Sequence, residues 1–197
     1  MLNARRCAME RIKAVRRVQF FGAPGTGKSV LAHEALTYFK KAGMNCEIVL
    51  ELAREWAYIN RGIQSMDQIY LFASQMTRED SLLSREKVDF VITDSPLLLN
   101  CWYSRNQNPV FWESLRPLVQ LFDQRFQPIN FFCPINKSYK FHQEGRHFPE
   151  EESISISHSM RDLVEDFYGK DNVIVLPNEN RLQAVVEALK ERGRVAI

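Results

Sequence analysis

Residues Gly22-Ala23-Pro24-Gly25-Thr26-Gly27-Lys28-Ser29 spell G-x-x-x-x-G-K-S. In such a run the backbone N–H groups can converge on phosphate oxygens, because glycine tolerates the required angles and the close approach of an anion. Lys28 supplies a point charge for the β- and γ-phosphates, and the Ser29 hydroxyl supplies a ligand for Mg2+. A helix that starts here turns its positive end toward the anion. The pattern carries weight only between a strand and a helix. Arg17-Val18-Gln19-Phe20-Phe21 reads as that strand, and Val30-Leu31-Ala32-His33-Glu34-Ala35-Leu36 as that helix. The expectation is an ATP–Mg2+ site over residues 22–29.

Six further residues could complete the chemistry. Asp94 closes the apolar run Val88-Asp89-Phe90-Val91-Ile92-Thr93 and fits a second magnesium-organising group; a helix-cap aspartate is the plainer alternative. Ser95 follows it, where ATPase motors carry a water-activating acid, which favours transfer to an acceptor other than water. Glu51 follows Cys46-Glu47-Ile48-Val49-Leu50 and could accept a proton from an acceptor hydroxyl; the alternative is a solvated glutamate opening a helix. Arg54 could hold an anionic acceptor or simply pair with a carboxylate. Gln75 and Arg78, three apart on one helix face, are candidate acceptor-binding residues, although Ile69, Phe72 and Met76 beside them read as core. Arg146, next to Gly145 in a polar stretch, could offset charge on a transferring phosphoryl group. His142 and His147 in that stretch lack a third ligand, so a transition-metal site is not expected.

These residues need a frame. Strands are expected at 17–21, 46–50, 88–93, 129–133 and 172–176, and helices at 28–42, 66–85, 110–126, 153–167 and 180–192. Ser65 with Asp67 marks a helix start, and Gly43 a helix stop. Leu182, Val185, Val186 and Leu189 give the last helix an apolar docking face. Residues 95–109 read as a helix and then a loop, and 134–150 as a polar lid. Alternating strands and helices predict an α/β fold with one parallel five-stranded sheet flanked by helices in three layers. Ligands of such sheets bind beyond the carboxyl ends of the strands, which gathers residues 22–29, 51 and 94 along one edge.

The chain has 197 residues and is 45% hydrophobic, as expected for one folded domain over residues 1–197. The net charge of +2 is too small to imply nucleic-acid binding by itself. Cys7, Cys46, Cys101 and Cys133 form no C-x-x-C pair, which fits reduced thiols in a cytoplasmic protein. No apolar run reaches the length of a membrane span. Residues 1–16 read as a basic extension; Arg5, Arg6, Arg11, Lys13 and Arg16, with Arg17 just beyond them, face only Glu10, as a solvated helix or tail with a polyanion contact as the sharper alternative.

The order of these features resembles the P-loop small-molecule kinases: phosphate loop, glutamate after the second strand, Asp94-Ser95-Pro96 after the third, arginine lid after the fourth. Glu51-Leu52-Ala53-Arg54-Glu55-Trp56 resembles the Glu-x-x-Arg segment of the ribosylnicotinamide kinase domain and of phage and bacterial AAA-domain ATPase/kinases. Gln75 and Gly145-Arg146 are similar to a glutamine helix and a lid segment there. The resemblance runs from about residue 17 to residue 190, and implies a P-loop NTPase fold with a lid. It departs at Asp94-Ser95-Pro96, where ribosylnicotinamide kinases have Asp-Thr-x, and in showing one clear lid arginine where deoxynucleoside kinases show several. Asn136-Lys137-Ser138-Tyr139 lacks the aspartate of a guanine-reading motif.

The implied activity is transfer of the γ-phosphoryl group of ATP to a hydroxyl of a nucleoside, a nucleotide or nicotinamide riboside, with Glu51, Lys28 and Arg146 as catalytic groups. Two alternatives keep the nucleotide site: a kinase acting on a modified base of phage DNA, and an ATPase or nucleotide switch without a small acceptor. The expected partners are ATP and a small acceptor, with nucleic acid ranked lower, no membrane, and room for a homodimer.

Overall fold

The computed structural model describes residues 17–64, 66–84, 88–136 and 148–192, the side chains of 106 and 107 excepted. The basic extension 1–16, Ser65 and residues 137–147, which hold His142, Gly145, Arg146 and His147, lie outside the described residues.

Five strands form the sheet: β1 (Arg17–Phe21), β2 (Cys46–Val49), β3 (Phe90–Thr93), β4 (Pro128–Phe132) and β5 (Val173–Val175). They run parallel in the order β2-β3-β1-β4-β5. The connections are α1 (Lys28–Lys41), α2 (Ala53–Tyr58), α3 (Asp67–Leu83), α4 (Leu97–Gln107), α5 (Pro109–Arg125), α6 (Ser153–Tyr168) and α7 (Arg181–Glu191). Single 3-10 turns at Glu150–Glu152 and Lys170–Asn172 complete the described elements.

Each sheet face carries its own core. Val18 and Phe20 of β1 meet Leu31, Ala32, Ala35 and Phe39 of α1 and Val185, Val186 and Leu189 of α7. On the other face Phe21, Val91 and Phe132 pack against apolar residues of α3 to α6. The alternation along β1 follows the period of two in an extended chain.

The polar members of that second face are unusual. Arg17, counted above with the solvated basic residues, is fully buried. Its Nε donates to Glu79 Oε2 at 2.8 Å, and its Nη1 donates to Asp123 Oδ1. The Tyr168 hydroxyl donates to Asp123 Oδ2 at 2.9 Å. Burial works against the Arg17 charge, but Glu79 and Asp123 outweigh it and raise its pKa. The cluster ties β1 to α3, α5 and α6.

Boundaries differ from the sequence expectation for local reasons. β3 starts at Phe90; just ahead of it the Asp89 amide donates to Asn45 O at 2.7 Å and its Oδ2 accepts from the Asn45 amide at 2.8 Å, so a side chain takes part where β2 and β3 begin to pair. The expected loop after α4 shrinks to Asn108. Its Oδ1 accepts from the Val110 amide at 3.0 Å, and Pro109 stands at the first helical position. Gly43 does stop α1, with φ of 83°.

Candidate active site

β1 feeds the loop 22–29 at the middle of the sheet. From β1 the chain crosses toward β2 on one side, and from neighbouring β4 it continues to β5 on the other. That is a topological switch point, where α/β sheets open a crevice. The loop sits against β4 there: the Cys133 amide donates to Phe21 O at 2.7 Å. At Gly22, with φ of 146°, an added Cβ would stand 2.5 Å from the Cys133 carbonyl oxygen. Only glycine fits.

Gly27, with φ of 83° and ψ of 14°, launches α1, and no side-chain cap satisfies the first amides of that helix. Those amides have no intrahelical acceptors, so the helix presents donors and the positive end of its dipole at the loop. Thr26 is buried, and its hydroxyl donates to Ala23 O at 2.9 Å. Lys28 Nζ donates to Gly22 O and Ala23 O at 2.6 and 2.9 Å, which sets the ammonium beside the loop. The Cys133 thiol is pushed up to about 12 by burial, against the pull of Lys28 and Arg181. It therefore stays neutral beside the loop.

Asp94 lies one residue past β3 and is 4% exposed. Its Oδ2 accepts from the Ser29 hydroxyl at 2.7 Å, while its Oδ1 is buried with no hydrogen-bond partner among the described residues. A buried carboxylate oxygen without a donor is costly, and a hard cation would satisfy it. Mg2+ takes one or two carboxylates and fills its remaining positions with phosphates and water, so Ser29 with Asp94 is a fitting donor set. Among the described residues no group of three or more His, Cys, Asp or Glu is placed to hold a metal ion. A site built wholly from protein carboxylates or imidazoles is therefore not present among them.

α2 brings a further cation to this edge. Trp56 is buried and stacks on Tyr70 of α3, with centroids 5.9 Å apart and planes 9° off parallel. Arg61 lies over the Trp56 ring at 3.6 Å and pairs with Asp67 at 3.0 Å. Held by that stack, α2 extends Arg54 toward the loop, where Nη1 donates to Ser29 Oγ at 3.4 Å. Glu51 is half-buried just ahead of α2. An open groove of about 760 Å³ runs from Ser29 and Arg54 along α1 past His33 and Tyr38 to Lys41, with Leu182 of α7 beside it.

The remaining candidates are dispersed. Gln75 is buried and donates from Nε2 to Glu79 Oε1 at 2.8 Å, inside the Arg17 cluster. Arg78 is exposed on the same helix. Arg146 lies outside the described residues. Sequence reasoning missed Arg181, buried at the start of α7, whose Nη1 donates to the Thr26 carbonyl.

The sequence model of the AAA domain family matches residues 17–181. No curated protein matches the sequence. Solved structures do match the fold. A deoxyadenosine kinase from M. mycoides with bound dATP is 14% identical, with a TM-score of 0.51 over 89% of this chain and 99% of that one. The NadR protein in complex with NR is 17% identical, with a TM-score of 0.61 over 92% of this chain. This chain spans about half of NadR, 52%. APE1195 is 16% identical, with a TM-score of 0.50 over 92% of this chain and 96% of that one. These likenesses establish the fold, which this chain shares with that deoxyadenosine kinase and with NadR.

Proposed function

The chain belongs to the AAA domain family, and from that premise we propose that it is an ATP- and Mg2+-dependent phosphotransferase acting on a small hydroxyl acceptor. One observation carries the reading: Ser29 and Asp94, 65 residues apart, share a 2.7 Å hydrogen bond beside the phosphate loop. The fold likeness to a deoxyadenosine kinase and to NadR in complex with NR supports a nucleoside, a nucleotide or nicotinamide riboside as acceptor.

Mg2+ bound by Ser29 and Asp94 would offset charge on the β- and γ-phosphoryl oxygens. The loop amides and Lys28 hold the triphosphate. The acceptor oxygen forms a bond to the γ-phosphorus as the bond to the β–γ bridging oxygen breaks, and that oxygen leaves with its electron pair on ADP. Glu51 takes the proton of the acceptor hydroxyl. Arg54 is assigned to an anionic part of the acceptor, and Arg146 to the charge of the group in flight.

The test is an acceptor screen with labelled ATP across nucleosides, nucleotides, nicotinamide riboside and hydroxymethylated DNA. One of the small acceptors is expected to take label. Glu51→Gln should keep ATP affinity and lose transfer by roughly 10²–10⁴-fold. Label on DNA alone, or ATP hydrolysis indifferent to every acceptor, overturns the proposal. Undiminished transfer in the variant removes Glu51 from the mechanism.

A further inference from the structure

Arg181 stands where three segments meet. It is 4% exposed at the first position of α7, just after Asn180, whose φ of 56° turns the chain sharply into the helix. Its guanidinium donates to three backbone carbonyls. Nε reaches Pro177 O at 2.9 Å, on the segment leaving β5. Nη2 reaches Pro134 O at 2.7 Å, on the segment leaving β4. Nη1 reaches Thr26 O in the phosphate loop. The β4 and β5 exits are tied a second time, by Asn136 Nδ2 donating to Asn178 O at 2.6 Å.

The bond to Thr26 has a consequence fixed by covalent geometry. In a planar trans peptide, the carbonyl of one residue and the N–H of the next point in opposite directions. A guanidinium that holds the Thr26 carbonyl therefore aims the Gly27 N–H away from itself. Gly27 alone could rotate freely, since glycine populates both signs of φ. The same contact polarises the peptide, because a charged donor on the carbonyl strengthens the N–H on its far side. The guanidinium fork matches three acceptors in fixed directions, which an ammonium cannot do.

We propose that Arg181 is a positioning residue of the nucleoside triphosphate site, setting the Thr26–Gly27 peptide of the phosphate loop and locking that loop to the exits of β4 and β5. The inference rests on the reading of residues 22–29 as a triphosphate site. Its ligand class is the polyphosphate itself, whatever base or acceptor accompanies it.

The experiment measures binding of MgATP and of inorganic tripolyphosphate to the full chain, in wild type, Arg181→Lys and Arg181→Met, with circular dichroism to confirm folding. The methionine variant is expected to lose at least about tenfold in affinity for both ligands. The lysine variant, which keeps the charge but not the fork, should fall between. Wild-type affinity for both ligands in folded variants overturns the proposal. A loss for MgATP with unchanged tripolyphosphate binding also overturns it, since Arg181 would then serve the nucleoside side. If wild type binds neither ligand, the triphosphate reading itself fails, which is a different result. Should the variants not fold, amide resonances of wild type decide. On adding tripolyphosphate, the Gly27 amide and the Arg181 Nε–H should shift together; a shift of Gly27 alone refutes the coupling.

Discussion

Two glycines with positive φ differ in what surrounds them. Gly22 has φ of 146° and a wall of backbone 2.5 Å from where a Cβ would stand. Gly43 has φ of 83° with nothing within 4 Å. Gly22→Ala must therefore push the loop off β4, whereas Gly43→Ala meets only the backbone strain of the left-handed region, about 1–2 kcal/mol. Nucleotide titration and urea unfolding of both variants should separate the effects. Gly22→Ala is expected to lose nucleotide affinity by about tenfold or more, and Gly43→Ala to lose stability alone. Equal affinities in the two variants contradict the clash. The loop and Asp94 were legible in the sequence because their signals are local: eight consecutive residues, and an aspartate closing an apolar run. Arg181 was not, since its partners Thr26 and Pro134 are 155 and 47 residues away. No spacing rule links them.

Among the elements, β1 has a divided character that its sequence shows only in part. Val18 and Phe20 announce the alternation. Arg17 on the opposite face read as part of a solvated basic run, yet it is buried, and so is the polar Gln19 beside it. The reason is tertiary: Glu79 on α3 and Asp123 on α5 meet Arg17 from 62 and 106 residues away. Removing one partner of a buried ion pair strands the others. Arg17→Met should lower the unfolding free energy by about 3–5 kcal/mol, measured by urea denaturation. A loss below about 1 kcal/mol would mean the two carboxyls find other compensation. Helix α2 was visible in Leu52-Ala53-Arg54-Glu55-Trp56, but its anchoring was not. Trp56 depends on Tyr70 and Arg61, and that stack directs Arg54 to Ser29.

For the whole molecule, the same cluster makes stability depend on pH. One guanidinium faces two carboxylates, so full ionisation leaves a buried negative charge. Burial accordingly raises Glu79 and Asp123 above the ordinary carboxyl values, with Arg17 pulling the other way. The Tyr168 hydroxyl, pushed well up by burial and by Asp123, remains a donor. Carboxyls raised in the folded state hold protons that the unfolded chain has released. Their contribution is complete below the ordinary range near 4 and is lost as pH rises through the folded values. Asp123→Asn keeps an acceptor for Arg17 and removes one titration. Urea unfolding at stepped pH should find this variant gaining on wild type as pH rises from about 4 toward neutrality. A gap that is flat or moves the other way refutes the assignment. The sheet order itself was less legible than its content: alternation gave parallel strands, but nothing local says that β1 lies between β3 and β4.

That central placement bears on the moment when the protein becomes competent. The G-x-x-x-x-G-K-S stretch leaves the ribosome well before its braces: the β4 edge lies more than a hundred residues on, and Arg181 155 residues after Thr26. Contacts of such range close slowly. A nascent chain stalled before residue 181 displays the whole motif without that clasp, so on the proposed reading nucleotide capture should rise only in chains stalled after residue 181 has emerged, which dates the closing of the site.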